Sequence, residues 1–189
     1  MARIDPLTPP YTPEIEHALR KWMPPGVGHD PLVLFRTLHH NEQLASRMRV
    51  LGAGLLAHGT LPQLDREVVI ARVCARCGCH YEWGVHAAVF AQEVGLTQDQ
   101  LEATVAADVD DRIWSSRHNA LIRAVDELHD TAQLSQPAWT ALQEHYNPAQ
   151  LLEFLVLAGW YRTIAYLANG LLLPDEPWAM IMPGHDGAV

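Results

Sequence analysis

The chain has 189 residues, 49% of them hydrophobic and 19% charged, a globular composition and not a disordered one. A formal net charge of -9 and a pI near 5.6 oppose the electrostatic attraction that drives nucleic-acid binding, so no nucleic-acid partner is expected. The three cysteines all fall between Cys74 and Cys79. Packed this tightly they cannot staple distant parts of a secreted fold, and they point to a cytoplasmic chain.

The N-terminus, MARIDPLTPPYTPE, is proline-rich and lacks the apolar run of a signal peptide. Residues 1–31 are read as an arm carrying one short helix, TPEIEHALRKW, with Thr12 as N-cap and Pro13 in the first turn. Pro24-Pro25-Gly26 is expected to stop it. After Asp30-Pro31, LVLFRTLHH makes a second short helix. Asn41 then caps NEQLASRMRVLGAGLLAHG, in which Leu44, Met48, Leu51 and Leu55 keep helical spacing.

Pro62 opens PQLDREVVIARVCARC, which Gly78 interrupts. HYEWGVHAAVFAQEV follows and ends at Gly95, a suitable C′ residue. Across so short a link the two helices should form an antiparallel hairpin. Thr97, Ser115 or Ser116, and Ser135 start three further helices. Asn147-Pro148-Ala149-Gln150 supplies an N-cap, a first-turn proline and a capping-box partner for a long apolar helix ending at Gly170.

That helix lies within LLEFLVLAGWYRTIAYLANGLLL, which Glu153, Arg162 and Asn169 interrupt. It reads as a core helix, so no membrane partner is expected. Strand alternation is almost absent. The fold class is all-α, a single-domain multi-helix bundle of eight or nine helices spanning 32–173, followed by an irregular tail, 174–189.

CARCGCHYEWGVH concentrates the chemistry. Cys74 and Cys77 form a Cys-x-x-Cys, but near the C-terminal end of a helix, where the dipole opposes a thiolate. Cys74 is therefore expected to be a small buried hydrophobe outside the site. Cys79 begins the next helix, where a thiolate is favoured. Cys79, Glu82 and His86 fall on one helical face within about 60°. No second ligand pair has matching spacing, so no metal and no cofactor is expected.

Glu67 precedes Cys79 by twelve residues. With the Leu61–Glu67 entry, the Tyr81–His86 core, the Gly95-Leu96 exit and the closing EFLVLAGWYRTIAYLANGL, the chain resembles the alkylhydroperoxidase D / carboxymuconolactone decarboxylase superfamily from about Leu32 to Leu173. The resemblance implies a helical homo-oligomer, a trimer or a hexamer. Aligned on His86, the family's two redox cysteines fall on Cys79 and Glu82, so the second thiol is a carboxylate here. The family's histidine between them falls on Tyr81, and its relay glutamate on Glu67.

The resulting expectation is a catalytic set of Glu67, Cys79, Glu82 and His86 in one pocket, with Tyr81, Trp83, Arg72 and Arg162 binding a small-molecule substrate. Arg76 is a further candidate cation. Two carboxylates sharing a partly apolar site should raise a carboxyl pKa. Three functions remain open. The first is a cofactor-free acid–base lyase or decarboxylase on a small carboxylated or lactone substrate. The second is a peroxidase with peroxiredoxin-like antioxidant activity through Cys79. The third is a non-catalytic small-ligand-binding oligomer.

Overall fold

The computed structural model describes residues 2–23 and 29–185. Those residues hold ten α-helices, one 3-10 helix and no strand. They are α1 (Pro13–Arg20), α2 (Val33–Leu38), η1 (His39–Asn41), α3 (Glu42–Ala57), α4 (Gln63–Arg76), α5 (His80–Val89), α6 (Ala91–Val94), α7 (Gln98–Ala103), α8 (Ser116–Thr131), α9 (Gln136–Gln143) and α10 (Pro148–Leu171).

The caps follow the chain's chemistry. Thr12, Asn41, Thr97, Ser115, Ser135 and Asn147 each accept from a backbone amide of the first turn. Thr97 and Asn147 complete reciprocal capping boxes with Gln100 and Gln150. The proposed stop at Pro24-Pro25-Gly26 lies outside the described residues; α1 itself ends at Arg20. The count exceeds eight or nine because His39–Asn41 turns separately and the HYEWGVHAAVFAQEV segment divides at Phe90 into α5 and α6.

The α3 face is rotated from its expected phase. Ala45, Met48, Gly52 and Leu55 are buried, while Leu44 and Leu51 are exposed. Gly52 explains the choice. A Cβ there would sit 3.0 Å from the Trp160 ring, so the glycine admits a close approach of α10's indole.

α4 is the centre of the molecule. Every residue from Asp65 to Cys74 is buried, so it has no solvated face. It packs on α5, α8 and α10. A helix of this length, apolar or paired on all sides, is stabilised by its neighbours and not by its own propensity. Its buried charges are each matched. Arg72 lies between Asp126 and the carbonyls of Thr104 and Ala106. Asp65 accepts from Tyr146 and pairs with His118 and Arg117.

α4 ends in a Schellman arrangement. Gly78 takes φ +58, its amide bonds Ala75 O at 3.0 Å, and Cys79 N bonds Cys74 O at 2.8 Å. A left-handed residue at this point suits glycine, which has no Cβ to clash. The chain reverses, and Glu67 on α4 meets His86 on α5 at 2.7 Å. Contacts at 74–79 near the turn and 67–86 further out are those of an antiparallel hairpin, as the sequence implies.

α10 is long and apolar enough to cross a membrane by length and composition. Here its inner face packs on α4, with Phe154, Leu157, Tyr161 and Ala165 buried. Glu153, on the same helix, accepts from the Thr60 amide and hydroxyl and the Leu61 amide, and so fixes the entry to α4.

Both ends of the chain are strapped to this body. Arg3 bonds the carbonyls of Leu171 and Gly170. In the tail, Glu176 accepts from Val33 N and Tyr81 Oη at 2.6 Å each, and Met180 N bonds Gly84 O at 3.1 Å.

A His–carboxylate candidate active site

The centre of the site is His86. Its Nδ1 lies 2.7 Å from Glu67 Oε2, and Nε2 lies 3.1 Å from Tyr161 Oη and 3.5 Å from Glu82 Oε1. Arg66 Nε donates to the other Glu67 oxygen at 3.0 Å. Each contact follows from local structure. Glu82 and His86 are one turn apart on α5, the hairpin brings Glu67 opposite, and α10 crosses to deliver Tyr161. Glu67, Glu82, His86 and Tyr161 are all less than a tenth exposed.

Burial by itself would raise the Glu67 carboxyl, but the charge and hydrogen bond of His86, helped by Arg66, hold it below the usual carboxylate range. Burial would likewise lower His86. Glu67 outweighs it, with Glu82 adding, and the imidazole is pushed up to about 9. The expectation of a raised carboxyl therefore does not hold at Glu67. A buried carboxylate next to an imidazole gives up its proton to the ring, and the site rests as an ion pair.

The protonation state settles the direction of the other bonds. With both ring nitrogens protonated, Nδ1–H donates to Glu67, and Nε2–H donates to Tyr161 Oη. Burial, then the charges of Glu82 and Glu67, raise the Tyr161 phenol well above its ordinary value, so it keeps its proton. That phenolic proton is free for a ligand oxygen. Glu82 Oε2 is buried and has no hydrogen-bond partner among the described residues.

A cavity of about 160 Å³ opens beside this cluster, with Glu82, His86 and Tyr161 on its wall. An apolar cavity near that size holds a benzene-sized ring. Its sides are mainly aromatic, with Trp22, Phe35, Phe90, Trp160 and Trp178 contributing, and Trp22 stacks on Phe35 at 4.3 Å. Lys21 and Arg49 supply the cations of the lining.

The predicted residues separate into two groups. Glu67, Glu82 and His86 come together, although Glu67 stands behind the imidazole and not on the cavity wall. Cys79 is adjacent in sequence but fully buried and off the wall. Cys74 is fully buried in the hydrophobic core and off the cavity wall, as expected, and its backbone carbonyl accepts from the Cys79 amide at 2.8 Å. The Schellman turn places residues five apart side by side, which a helical-phase argument misses.

The four expected substrate contacts are engaged elsewhere. Tyr81 Oη joins Glu176 to the Leu34 amide, and Trp83 Nε1 donates to Thr104 Oγ1. Arg72 is held by Asp126. Arg162 donates to Tyr166 Oη and the His129 carbonyl, beside a second groove that also holds Cys77. Arg76 pairs with Asp130. Among the described residues, no group of three or more His, Cys, Asp or Glu side chains is placed to hold a metal ion.

Tyr161 escaped the sequence reading. The available signal was its place on the buried spacing of Phe154, Ala158 and Ala165, because a buried phenol demands a polar partner.

Comparisons with known proteins bear on the fold. Residues 42–127 match the carboxymuconolactone decarboxylase family. No curated protein matches the chain by sequence. Among solved structures, an uncharacterised peroxidase-related protein from Silicibacter sp. TM1040 superposes with a TM-score of 0.78 at 16% identity, covering 93% of this chain and 92% of that one. The debrominase Bmp8, as a cysteine-to-alanine variant in complex with 2,3,4-tribromopyrrole, gives 0.76 at 16% identity, covering 92% and 91%. A protein of unknown function from Agrobacterium tumefaciens, suggested to be the antioxidant defence protein AhpD, gives 0.67 at 15% identity, covering 74% and 94%. At these identities the likeness establishes the fold. The all-α architecture is AhpD-like, and residues 42–127 match the carboxymuconolactone decarboxylase family model.

Proposed function

We propose that this protein is a cofactor-free acid–base enzyme, a decarboxylase or related lyase acting on a small, mainly apolar ring that carries a carboxylate or lactone. The observation that supports it best is the cavity wall itself. A charged imidazole, a phenol with a free proton and an unpartnered buried carboxylate oxygen face it, whereas both neighbouring thiols are sealed away. Bmp8, a neighbour in fold, holds a small halogenated ring. A comparable ring suits this cavity.

In the proposed reaction Lys21 or Arg49 holds the substrate's anionic end, and the aromatic walls exclude water. Loss of carbon dioxide leaves its electron pair on the ring carbon as a carbanion or enolate. The His86 imidazolium supplies the proton that quenches it, from Nε2 directly or through Tyr161 Oη. Glu67 keeps the Nδ1 proton and stabilises the charged ring beforehand, which is preorganisation of the kind that lowers a barrier. Glu82 accepts a hydrogen bond from the ligand, and after product leaves, a proton from solvent water restores the His86 imidazolium.

The test is a screen of small lactone acids and heteroaromatic carboxylates for carbon dioxide release. His86→Ala and Tyr161→Phe should lower kcat by about 100-fold or more and about 10-fold, the scale of positioned proton transfer. Cys79→Ser should retain turnover. Peroxide consumption that needs Cys79, with no lyase activity in the screen, would replace this reading with the thiol one. We further propose a homo-oligomer, since α10 exposes Leu152, Val156 and Tyr166 along one side; sedimentation as a monomer at micromolar concentration would refute it.

A further inference from the structure

Two polar atoms on the cavity wall have bonding capacity that the fold leaves unused. Glu82 Oε2 is buried without a hydrogen-bond partner among the described residues, on a side chain less than a tenth exposed. A buried acceptor of this kind is rare and needs a reason, and a donor carried in by a ligand supplies one. Tyr161 Oη is the second. It accepts from His86 Nε2 at 3.1 Å, so its own hydrogen is left over, and no bond to Glu82 Oε2 uses it. Glu82 Oε1 lies 3.5 Å from the same His86 nitrogen. The unused donor and the unused acceptor therefore converge on one place in the wall, beside His86.

Resting on the acid–base reading of this site, we propose that the ring it takes carries a hydroxyl, as a phenol or an enol, and that Glu82 and Tyr161 together select that group. A hydroxyl donates its hydrogen to Glu82 Oε2 and accepts with its oxygen from Tyr161 Oη, so one small group satisfies both atoms. A heteroaromatic N–H donates but cannot accept, and an ether or ketone oxygen accepts but cannot donate. Each of these leaves one wall atom unpaired. The space suits a single ring, because about 160 Å³ is close to the size of an apolar cavity that holds benzene.

Selection works through the cost of leaving Glu82 unpaired. In a merely apolar cavity toluene binds at least as well as phenol, because phenol gives up a hydrogen bond to water and regains none. Against a buried carboxylate oxygen the order reverses, since toluene keeps that oxygen dry and without a donor.

The experiment titrates the full chain with phenol and with toluene at neutral pH, following the tryptophan indole signals by NMR. Phenol should bind about 10-fold or more tightly than toluene, with the largest shifts at Trp22, Trp160 and Trp178, which line the cavity. In Glu82→Leu that preference should vanish or reverse, and in Tyr161→Phe it should fall by about 3-fold or more. Should a variant fail to fold, the two titrations of the unsubstituted chain decide. Toluene binding as tightly as phenol, no phenol binding at millimolar concentration, or a phenol preference that survives Glu82→Leu would overturn the proposal. The readout is binding and not turnover. An empty lyase screen therefore leaves the hydroxyl preference standing, and equal binding of the two rings leaves that screen to decide the lyase reading.

Discussion

Replacing Glu67 with Gln tests the ion pair at the heart of the site. The substitution keeps the shape and one hydrogen-bond acceptor for His86 Nδ1 but removes the charge that raises the imidazole to about 9. In the folded wild type the ring is raised from its ordinary value of 6.5. A raised group stabilises the fold fully below its unfolded pKa, and that contribution disappears as pH climbs through the folded one. The gain is about 3 kcal/mol below pH 6.5 and nearly as large at neutral pH. In Glu67→Gln burial dominates, the ring stays neutral, and that gain is lost.

At roughly 2–4 °C per kcal/mol for a chain of this size, the variant should melt about 5–10 °C lower near neutral pH. The gap should narrow markedly at about pH 10, where the wild-type ring has also lost its proton. Thermal melts of both proteins across that range, with His86 followed by NMR titration, measure it. An equal deficit at both pH values, or a wild-type His86 that titrates near 6.5, would refute the assignment of an imidazolium.

Arg72→Leu should cost about 3–5 kcal/mol in chemical denaturation, because it strips Asp126 and two carbonyls of their donor, yet leave ligand affinity at the cavity unchanged. Arg162→Ala, whose partners lie at the surface, should cost about 1 kcal/mol or less. Gly84→Ala places a Cβ 2.3 Å from Met180 O. The tail must lift, so the variant should lose about 1–3 kcal/mol and be cut faster by protease between residues 174 and 182. Unchanged melting and cleavage would show that the tail does not dock there.

The helices were legible because their ends are chemically marked. Thr12, Asn41, Thr97, Ser135 and Asn147 all cap as their side chains dictate. The cluster around His86 was legible to the same extent. Glu82 and His86 share a helical face, and the family motif adds Glu67. What remained hidden depends on tertiary crossings with no local period. The rotation of α3 was set by Trp160, which approaches from more than a hundred residues away. The arginines illustrate the same limit. Arg72 resembles a substrate clamp in one dimension, and only the approach of α8 with Asp126 shows that it is already occupied. Sequence could not reveal that the Cys79 amide would bond the Cys74 carbonyl, because that contact is made by a left-handed glycine and not by helical spacing.

The cavity wall has a division of origin. Arg49, Glu82, His86 and Phe90 fall within the stretch that matches the family model, 42–127, while Trp22, Phe35, Trp160, Tyr161 and Trp178 fall outside it. Most of the aromatic lining is thus contributed from outside the stretch that carries Glu82 and His86. Under the proposed function, the shape of the cavity can be rewritten from the terminal segments while Glu82, His86 and Tyr161 stay unchanged. Grafting the terminal segments of one such protein onto the helical core of another should therefore transplant its choice of ring while preserving the pH profile of the recipient.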